Sequence, residues 1–382
     1  MSLPLPNSDA LAASHALQRL IAAEIAEQGG AIPFPRFMEL ALYAPDLGYY
    51  SGGAAKLGQE GDFVTAPEIS SLFGATLARA AAAIMAQSGP NIIEFGAGTG
   101  KLARDVLTAL AGRGVRIDSY TIIELSGELR ARQQEALRDF PQVRWLDGFP
   151  ARFEGAVLAN EVLDAMPVEL VLKDGGTWRR QLVTIEDGAF ALVSGEADAA
   201  LADQVRRQVT DADLLQDGYL TEVHPVGAGF MGSLAQMFEG GKGAAILLDY
   251  GFPAREYYFD ERSGGTLMCH YRHHAHPDPF FLPGLQDITA HVDFTAMALA
   301  AQDAGLDVLA YMSQAAFLLA CGIGELLLET DPADALRYLP QSKAVQKLVS
   351  PAEMGELFKV LVVGHGVALD PALLRADRSH RL

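Results

Sequence analysis

Between residues 91 and 160 the chain alternates short apolar runs with longer amphipathic segments, and this alternation constrains the fold more than any other feature. The runs are "NIIEF", "IDSYTIIEL", "VRWL" and "GAVLAN"; "KLARDVLTALAGRG" and "GELRARQQEALRDF" separate the first three. Short apolar runs bounded by turn residues predict buried strands, and the longer periodic segments predict helices. The β-α-β-α order implies a parallel, doubly wound sheet and an α/β fold.

Elsewhere the pattern is more mixed. Residues 8–29 predict an amphipathic helix through Leu11, Leu17, Leu20, Ile21 and Ile25, stopped by Gly29-Gly30. Residues 31–70 are dense in Pro, Gly and aromatics and show no clear period, so a functional loop or lid is expected there. An Ala-rich helix follows at 71–87. Residues 168–194 read as a hairpin with turns at "KDGG" and "EDG", and helices are expected at about 196–208 and 226–239. "GKGAAILLDYG" is a further buried strand ending in an acid. After a Gly/His/Pro-rich loop at 263–291 come helices at 293–304, about 314–328 and about 331–347, with the strands "GLDVLAYMS" and "LFKVLVVGH". The expected organisation is an N-terminal helical and loop extension (1–80) and one main domain (81–382) carrying a β-hairpin/helical insertion at about 168–240.

The charge narrows the partners. Of 382 residues, 48 are Asp or Glu and 29 Lys or Arg, a net charge of −19. Phosphate backbones and anionic lipid surfaces call for basic faces, so a broad nucleic-acid or membrane-surface role is disfavoured. A basic partner fits better. No apolar run of about 18 residues suggests a membrane span. The two cysteines, Cys269 and Cys321, lack CxxC spacing. With an N-terminus that resembles neither a signal nor a transit peptide, they lead to an expected cytoplasmic location.

"EFGAGTG", Glu94 to Gly100, follows the first strand and opens a helix. Glycines there let a ligand approach the backbone and expose N–H groups at a helix N-terminus. The second strand ends in Glu124, placed to accept from ribose hydroxyls, and the third in Asp147-Gly148, where an acid could meet an adenine amino group. A dinucleotide site favours G-x-G-x-x-G; here Gly96, Ala97, Gly98 and Gly100 are followed by Lys101 and preceded by an acid. This pattern resembles motif I of class I S-adenosylmethionine-dependent methyltransferases, and Glu124 resembles their ribose-binding acid. The sulfonium of that cofactor is cationic and carries no phosphate, which suits an acidic pocket. In that architecture the last strand inserts antiparallel beside the sixth, as "LFKVLVVGH" and "GLDVLAYMS" could.

A narrower resemblance runs from roughly residue 15 to 365. "GDFVTAPEISSLFG", "EFGAGTGKLARDVL", "ANEVLDAMPVEL", "EVHP", "LLDYGF" and "LQDITAHVDFT" occur in this order. Together they resemble the MidA-like (DUF185) family, which includes a mitochondrial protein arginine methyltransferase needed for respiratory complex I assembly. The resemblance implies a Rossmann-like class I methyltransferase fold, S-adenosyl-L-methionine as cofactor, and an arginine-bearing subunit of respiratory complex I or a similar protein as substrate. It leaves the oligomeric state open, a homodimer among the alternatives. A small-molecule methyltransferase and a cofactor-binding assembly chaperone are the competing functions; a nucleotide-dependent oxidoreductase is disfavoured by the glycine pattern.

The fourth strand ends in "NEVLDAMP". An arginine guanidinium is cationic, and carboxylates can hold its fork and aim one nitrogen. Glu161 and Asp164 are therefore the expected guanidinium clamps, and Asn160 the residue that positions the cofactor's methionine end. Asp62, Phe63, Thr65, Pro67 and Glu68 of "GDFVTAPE" form a second cluster, expected to close over cofactor or substrate or else to cap the next helix. Glu222 and His224 are expected to add substrate contacts, and Asp249 and Tyr250 to reach the site from the end of the fifth strand. Tyr49 and Tyr50 fit ordinary packing better than a substrate entry. His270, His273, His274 and His276 invite a metal reading, but methyl transfer needs none and no HExxH occurs, so no metal is assigned.

Overall fold

A computed structural model describes residues 3–52 and 65–382. The alternating block forms strands β1 (Asn91–Phe95), β2 (Ser119–Ile123), β3 (Val143–Leu146) and β4 (Gly155–Asn160), paired in parallel. Strand β5 (Gly243–Phe252) runs parallel to β4. Two more strands, β6 (Asp307–Ser313) and β7 (Phe358–His365), complete the row, with β7 antiparallel to both β5 and β6. The order is β6-β7-β5-β4-β1-β2-β3. The antiparallel final strand expected of a class I methyltransferase is present, and the order reverses between β1 and β4, where open α/β sheets bind ligands.

Burial explains why the inner strands are apolar throughout. Ala156 to Ala159 of β4 and Ala244 to Leu248 of β5 are covered on both faces. Helix Ser71–Met85 packs Phe73, Leu77 and Ala81 into the same core as Val106, Leu107 and Leu110 of helix Lys101–Gly112. Each large side chain so buried contributes about 1.5–3 kcal/mol, which holds the strand ends in register.

The chain divides into two compact units. One comprises Val64–Val162, Gly229–Gly251 and Met297–Leu382 and holds this sheet; the other comprises Met1–Phe63, Leu163–Ala228 and Phe252–Ala296. The division differs from the sequence expectation in two ways. Helix Ser71–Met85 lies wholly within the sheet unit, and the second unit draws on 252–296 as well as on the insertion expected at 168–240.

The second unit has its own antiparallel sheet, in which Thr177–Glu186 lies between Glu169–Asp174 and Ala31–Pro33 and also pairs with Ala189–Glu196. Its turns fall at the expected "KDGG" and "EDG": Gly175-Gly176 and Asp187-Gly188 all have positive φ, the backbone a tight hairpin requires. The core there includes Leu17, Ile21 and Ile25 of helix Ser8–Glu27 with Phe34, Phe37 and Met38.

Residues 31–70, expected as a long loop, contain helix Phe34–Tyr43. Its two prolines sit at Pro33, the N-cap, and Pro35, in the first turn, where the missing N–H costs nothing. They disguised a stripe that buries Phe34, Phe37, Met38, Ala41 and Leu42. The helix expected over about 314–328 is broken into Gln314–Ala320 and Ile323–Leu328 by Gly322, whose φ is +81°.

Candidate functional site

The parallel register aligns the strand ends. Phe95 pairs with Ile123 and Ala159, Ile123 with Leu146, and Asn160 with Leu248. Gly96, Glu124, Asp147, Asn160 and Asp249 therefore follow one another along one edge of the sheet. The sequence singled out all five, and the structure brings them into one row.

The glycine turn is left-handed at three positions, with φ of +60° at Gly96, +54° at Gly98 and +81° at Gly100. A side chain would be strained at each. A Cβ on Gly98 would meet no atom of the described residues within 4 Å, whereas one on Gly100 would touch Gln133 and Leu137 at 3.5 Å. Ala97, between Gly96 and Gly98, is buried. Thr99 Oγ1 donates to Glu68 Oε1 at 2.6 Å, tying the "TAPE" segment to the turn. Glu68 lies on the short helix Ala66–Ile69, with Thr65 at its N-cap and Pro67 buried inside it. The cap of helix Ser71–Met85 is Ser70, whose side chain accepts from Leu72 N–H at 3.2 Å. Asp62 and Phe63 lie outside the described residues.

The acids around the turn differ in their surroundings. Glu94 is buried and accepts from Tyr120 Oη at 2.6 Å. Burial pushes its carboxyl up to about 8, the nearby Glu124 adding and the Tyr120 hydrogen bond opposing. Glu94 thus supports the turn from within the sheet, where burial disfavours its charged form. Glu124 is half-buried; desolvation raises it, against hydrogen bonds from Ser126 N–H and Gln133. Lys101, which opens the following helix, is ion-paired to Asp105 at 2.5 Å. The turn's adjacent cation is thereby neutralised, and the surroundings favour a cationic or hydroxylated ligand over a phosphate.

Asp147 is exposed and ion-paired to Arg130 at 2.5 Å. Gly148 follows it, and a Cβ there would meet no atom of the described residues within 4 Å. Next comes Phe149, whose ring packs on Phe95 and Phe230 at centroid distances of 4.9 and 5.5 Å and remains 37% exposed. This aromatic edge escaped the sequence reading, although it directly follows the Asp-Gly pair.

At the end of β4 the backbone is strained. Glu161 has φ +55°, a region costly for a non-glycine residue. Three bonds hold it there: Glu161 N–H donates to Leu248 O at 2.9 Å, Asn160 Nδ2 to Glu161 Oε1 at 3.0 Å, and Val162 N–H to Asp249 Oδ2 at 3.2 Å. Asp249 also accepts from Tyr250 N–H at 2.9 Å, so it anchors this turn from the neighbouring strand; the Tyr250 ring packs on Phe358. Asn160 Oδ1 is buried without a hydrogen-bond partner among the described residues. A buried amide oxygen in that state calls for a donor, and an ammonium or N–H of a ligand supplies one. With the space among the described residues at Gly98, this acceptor makes the residues present a fit for the ribose and amino-acid ends of S-adenosyl-L-methionine.

The remaining expected site residues belong to the second unit. Asp164 lies just past the division of the chain; its side chain is buried, and its carbonyl accepts from Ala290 N–H at 3.0 Å. Glu222 is fully buried and accepts from Thr266 N–H at 2.8 Å, Leu267 N–H at 3.0 Å and Tyr257 Oη at 3.0 Å. His224 is buried against the same Tyr257 hydroxyl at 3.3 Å, and desolvation lowers it to about 4. Both are spent on an internal network, in place of the substrate contacts expected of them. Tyr49 is buried and Tyr50 donates to Asp287 at 2.9 Å, which is packing. His270 lies on strand Met268–Tyr271, His274 and His276 on its partner His274–His276, and His273 in the turn between.

Comparisons with known proteins agree with the fold and with S-adenosyl-L-methionine as cofactor. A family model for S-adenosyl-L-methionine-dependent methyltransferases matches residues 76–312. A crystal structure from Burkholderia thailandensis, bound to S-adenosyl-homocysteine, is 53% identical with a TM-score of 0.93, and each chain is covered over 100% of its length. The chain is 29% identical to the Drosophila melanogaster protein named protein arginine methyltransferase NDUFAF7 homolog, mitochondrial, over 88% of this chain and 82% of that protein. It is 28% identical to the mitochondrial protein arginine methyltransferase NDUFAF7 of Mus musculus, over 86% and 80%. These relatives overturn the cytoplasmic expectation: their names place them in mitochondria, and cysteine content and a short N-terminal stretch are too weak a signal to stand against that.

Proposed function

The chain belongs to the family of S-adenosyl-L-methionine-dependent methyltransferases, and we propose that it methylates an arginine of a protein, a respiratory complex I subunit or a similar chain. The observation that carries this reading is the Asn160–Glu161 pair, an amide and a carboxylate held in strained backbone where β4 ends beside the glycine turn. The names of the curated relatives support the choice of arginine.

The cofactor supplies an electrophilic methyl on a sulfonium. Glu124 would take its ribose hydroxyls, the backbone from Gly96 to Gly98 would border its amino-acid end, Asn160 Oδ1 would accept from its ammonium, and Asp147 with Phe149 would flank its base. Glu161 is the guanidinium acceptor. A guanidinium stays charged at any physiological pH, so a carboxylate that grips its fork also fixes which nitrogen faces the methyl. Alignment of this kind, with water excluded, is the main demand of an in-line displacement. Of the two acids in "NEVLDAMP", Glu161 shares a compact unit with the glycine turn, so the grip is assigned to it alone.

The test has two parts. Mass spectrometry of complex I subunits from cells with and without this gene should show one methylated arginine lost when the gene is absent; an unchanged arginine methylation pattern refutes the substrate. Glu161→Gln should lower kcat at least about a hundredfold, the scale of a lost charged contact in the transition state, and shift cofactor affinity by less than about twofold. A parallel collapse of cofactor binding would remove Glu161 from the substrate side.

A further inference from the structure

Gln133 is a buried amide in the middle of a helix, Gly127–Ala136, that is otherwise largely polar and exposed. Its side chain reaches three strands. Nε2 donates to Glu124 Oε2, at the end of β2, at 2.9 Å. It also donates to Gly98 O, in the turn after β1, at 3.0 Å. Oε1 accepts from Trp145 Nε1, on β3, at 3.0 Å. The stem packs where a Cβ on Gly100 would stand, at 3.5 Å.

These partners fix the amide's orientation. The two ends of a glutamine amide have nearly the same shape, and only the neighbours decide which faces where. An indole N–H can only donate, so it holds Oε1. The NH2 group is then directed at a carbonyl and a carboxylate, both acceptors. Turned over, the amide would set an oxygen against two oxygens and leave the indole N–H unpaired. The second Glu124 oxygen, Oε1, accepts from Ser126 N–H at 3.0 Å. Each carboxylate oxygen keeps a further lone pair, so a carboxylate held at both ends can still receive hydroxyl donors.

We propose that Gln133, oriented by Trp145, is a positioning residue that sets the spacing between the Glu124 carboxylate and the glycine turn, and so determines how well the ribose of S-adenosyl-L-methionine is held. This rests on the cofactor assignment above. The link runs Trp145 to Gln133 to Glu124, so Trp145 acts through Gln133 and not independently of it.

The test is calorimetric titration of the full chain with S-adenosyl-homocysteine, comparing wild type with Gln133→Met, Trp145→Phe and the double variant. Gln133→Met keeps the length of the side chain and removes the amide. It should weaken binding about tenfold or more, in line with loss of a hydrogen bond to a charged group. Trp145→Phe should weaken binding by a smaller factor, and the double variant should bind no worse than Gln133→Met alone. In turnover, KM for the cofactor should rise while kcat at saturating cofactor stays near wild type, a split that general loosening of the fold does not produce. If Gln133→Met misfolds, Trp145→Phe still carries the test: weaker binding with an unchanged melting temperature supports the link. Wild-type binding together with unchanged affinity in both single variants overturns this inference alone, as do additive losses in the double variant. Absence of binding by the wild type overturns the cofactor assignment and this inference with it.

Discussion

Replacing Glu94 with glutamine tests whether the motif's leading acid is neutral in the folded protein. In an unfolded chain this carboxyl has its ordinary value of 4.5, whereas burial in the sheet pushes it up to about 8. The stability it contributes is therefore fully present below pH 4.5 and is lost as pH rises through about 8. At about 1.4 kcal/mol for each tenfold change in acidity, the full loss approaches about 5 kcal/mol; relaxation and water penetration lower this, so about 2–5 kcal/mol is expected. Glutamine keeps an acceptor for Tyr120 Oη and cannot titrate, so Glu94→Gln should lack this part of the pH dependence. The assay is urea unfolding of cofactor-free protein at about pH 5 and about pH 9, which together span most of the affected range. Other buried acids also titrate, Asp293 among them with a carboxyl raised to about 7 by burial, but they are common to both proteins and cancel in the comparison. Wild type should lose more stability between the two pH values than the variant by that amount. Parallel losses would mean that Glu94 is ionised across the range and that the burial argument fails.

Two further substitutions probe the turn and the second unit. Gly98→Ala should cost roughly 1 kcal/mol of stability, since its φ of +54° disfavours a side chain but no atom of the described residues lies within 4 Å, while cofactor affinity falls sharply because the methyl enters the ligand's space; calorimetry showing unaltered affinity would place the cofactor elsewhere. Lys173 is buried and its ammonium donates to the carbonyls of Ala212, Asp213 and Leu215 at 2.7, 3.2 and 2.8 Å, so Lys173→Met should leave these acceptors unmet and destabilise the protein by about 2–4 kcal/mol, read as a fall in the thermal midpoint.

The sequence made the ends of the strands legible because a buried strand is a continuous apolar run and its last residue is where polarity returns. Gly96, Glu124, Asp147, Asn160 and Asp249 were each visible in that way. Helix Phe34–Tyr43 was not, because prolines in a first turn mimic a loop. Gln133 was half visible. It sits four residues from both Leu129 and Leu137, on the inward stripe of its helix, and a polar residue there signals a buried hydrogen bond without naming its partners. Glu222 and His224 misled for the opposite reason: a polar pair ending a short strand looks the same in sequence whether it meets a ligand or an internal tyrosine.

Local pattern therefore determined most of the strands and helices, that the β1–β4 block is parallel, and which residues stand at its carboxyl edge, since these follow from hydrophobic period and connection length along the chain. Tertiary structure alone decided that burial raises the Glu94 carboxyl, that Lys101 is cancelled by Asp105, that Gln133 bridges Glu124 and Gly98, and that the chain changes compact unit between Glu161 and Asp164. Charge state and hydrogen-bond partners depend on burial and on groups brought together from distant positions, and neither is encoded in the spacing of neighbours.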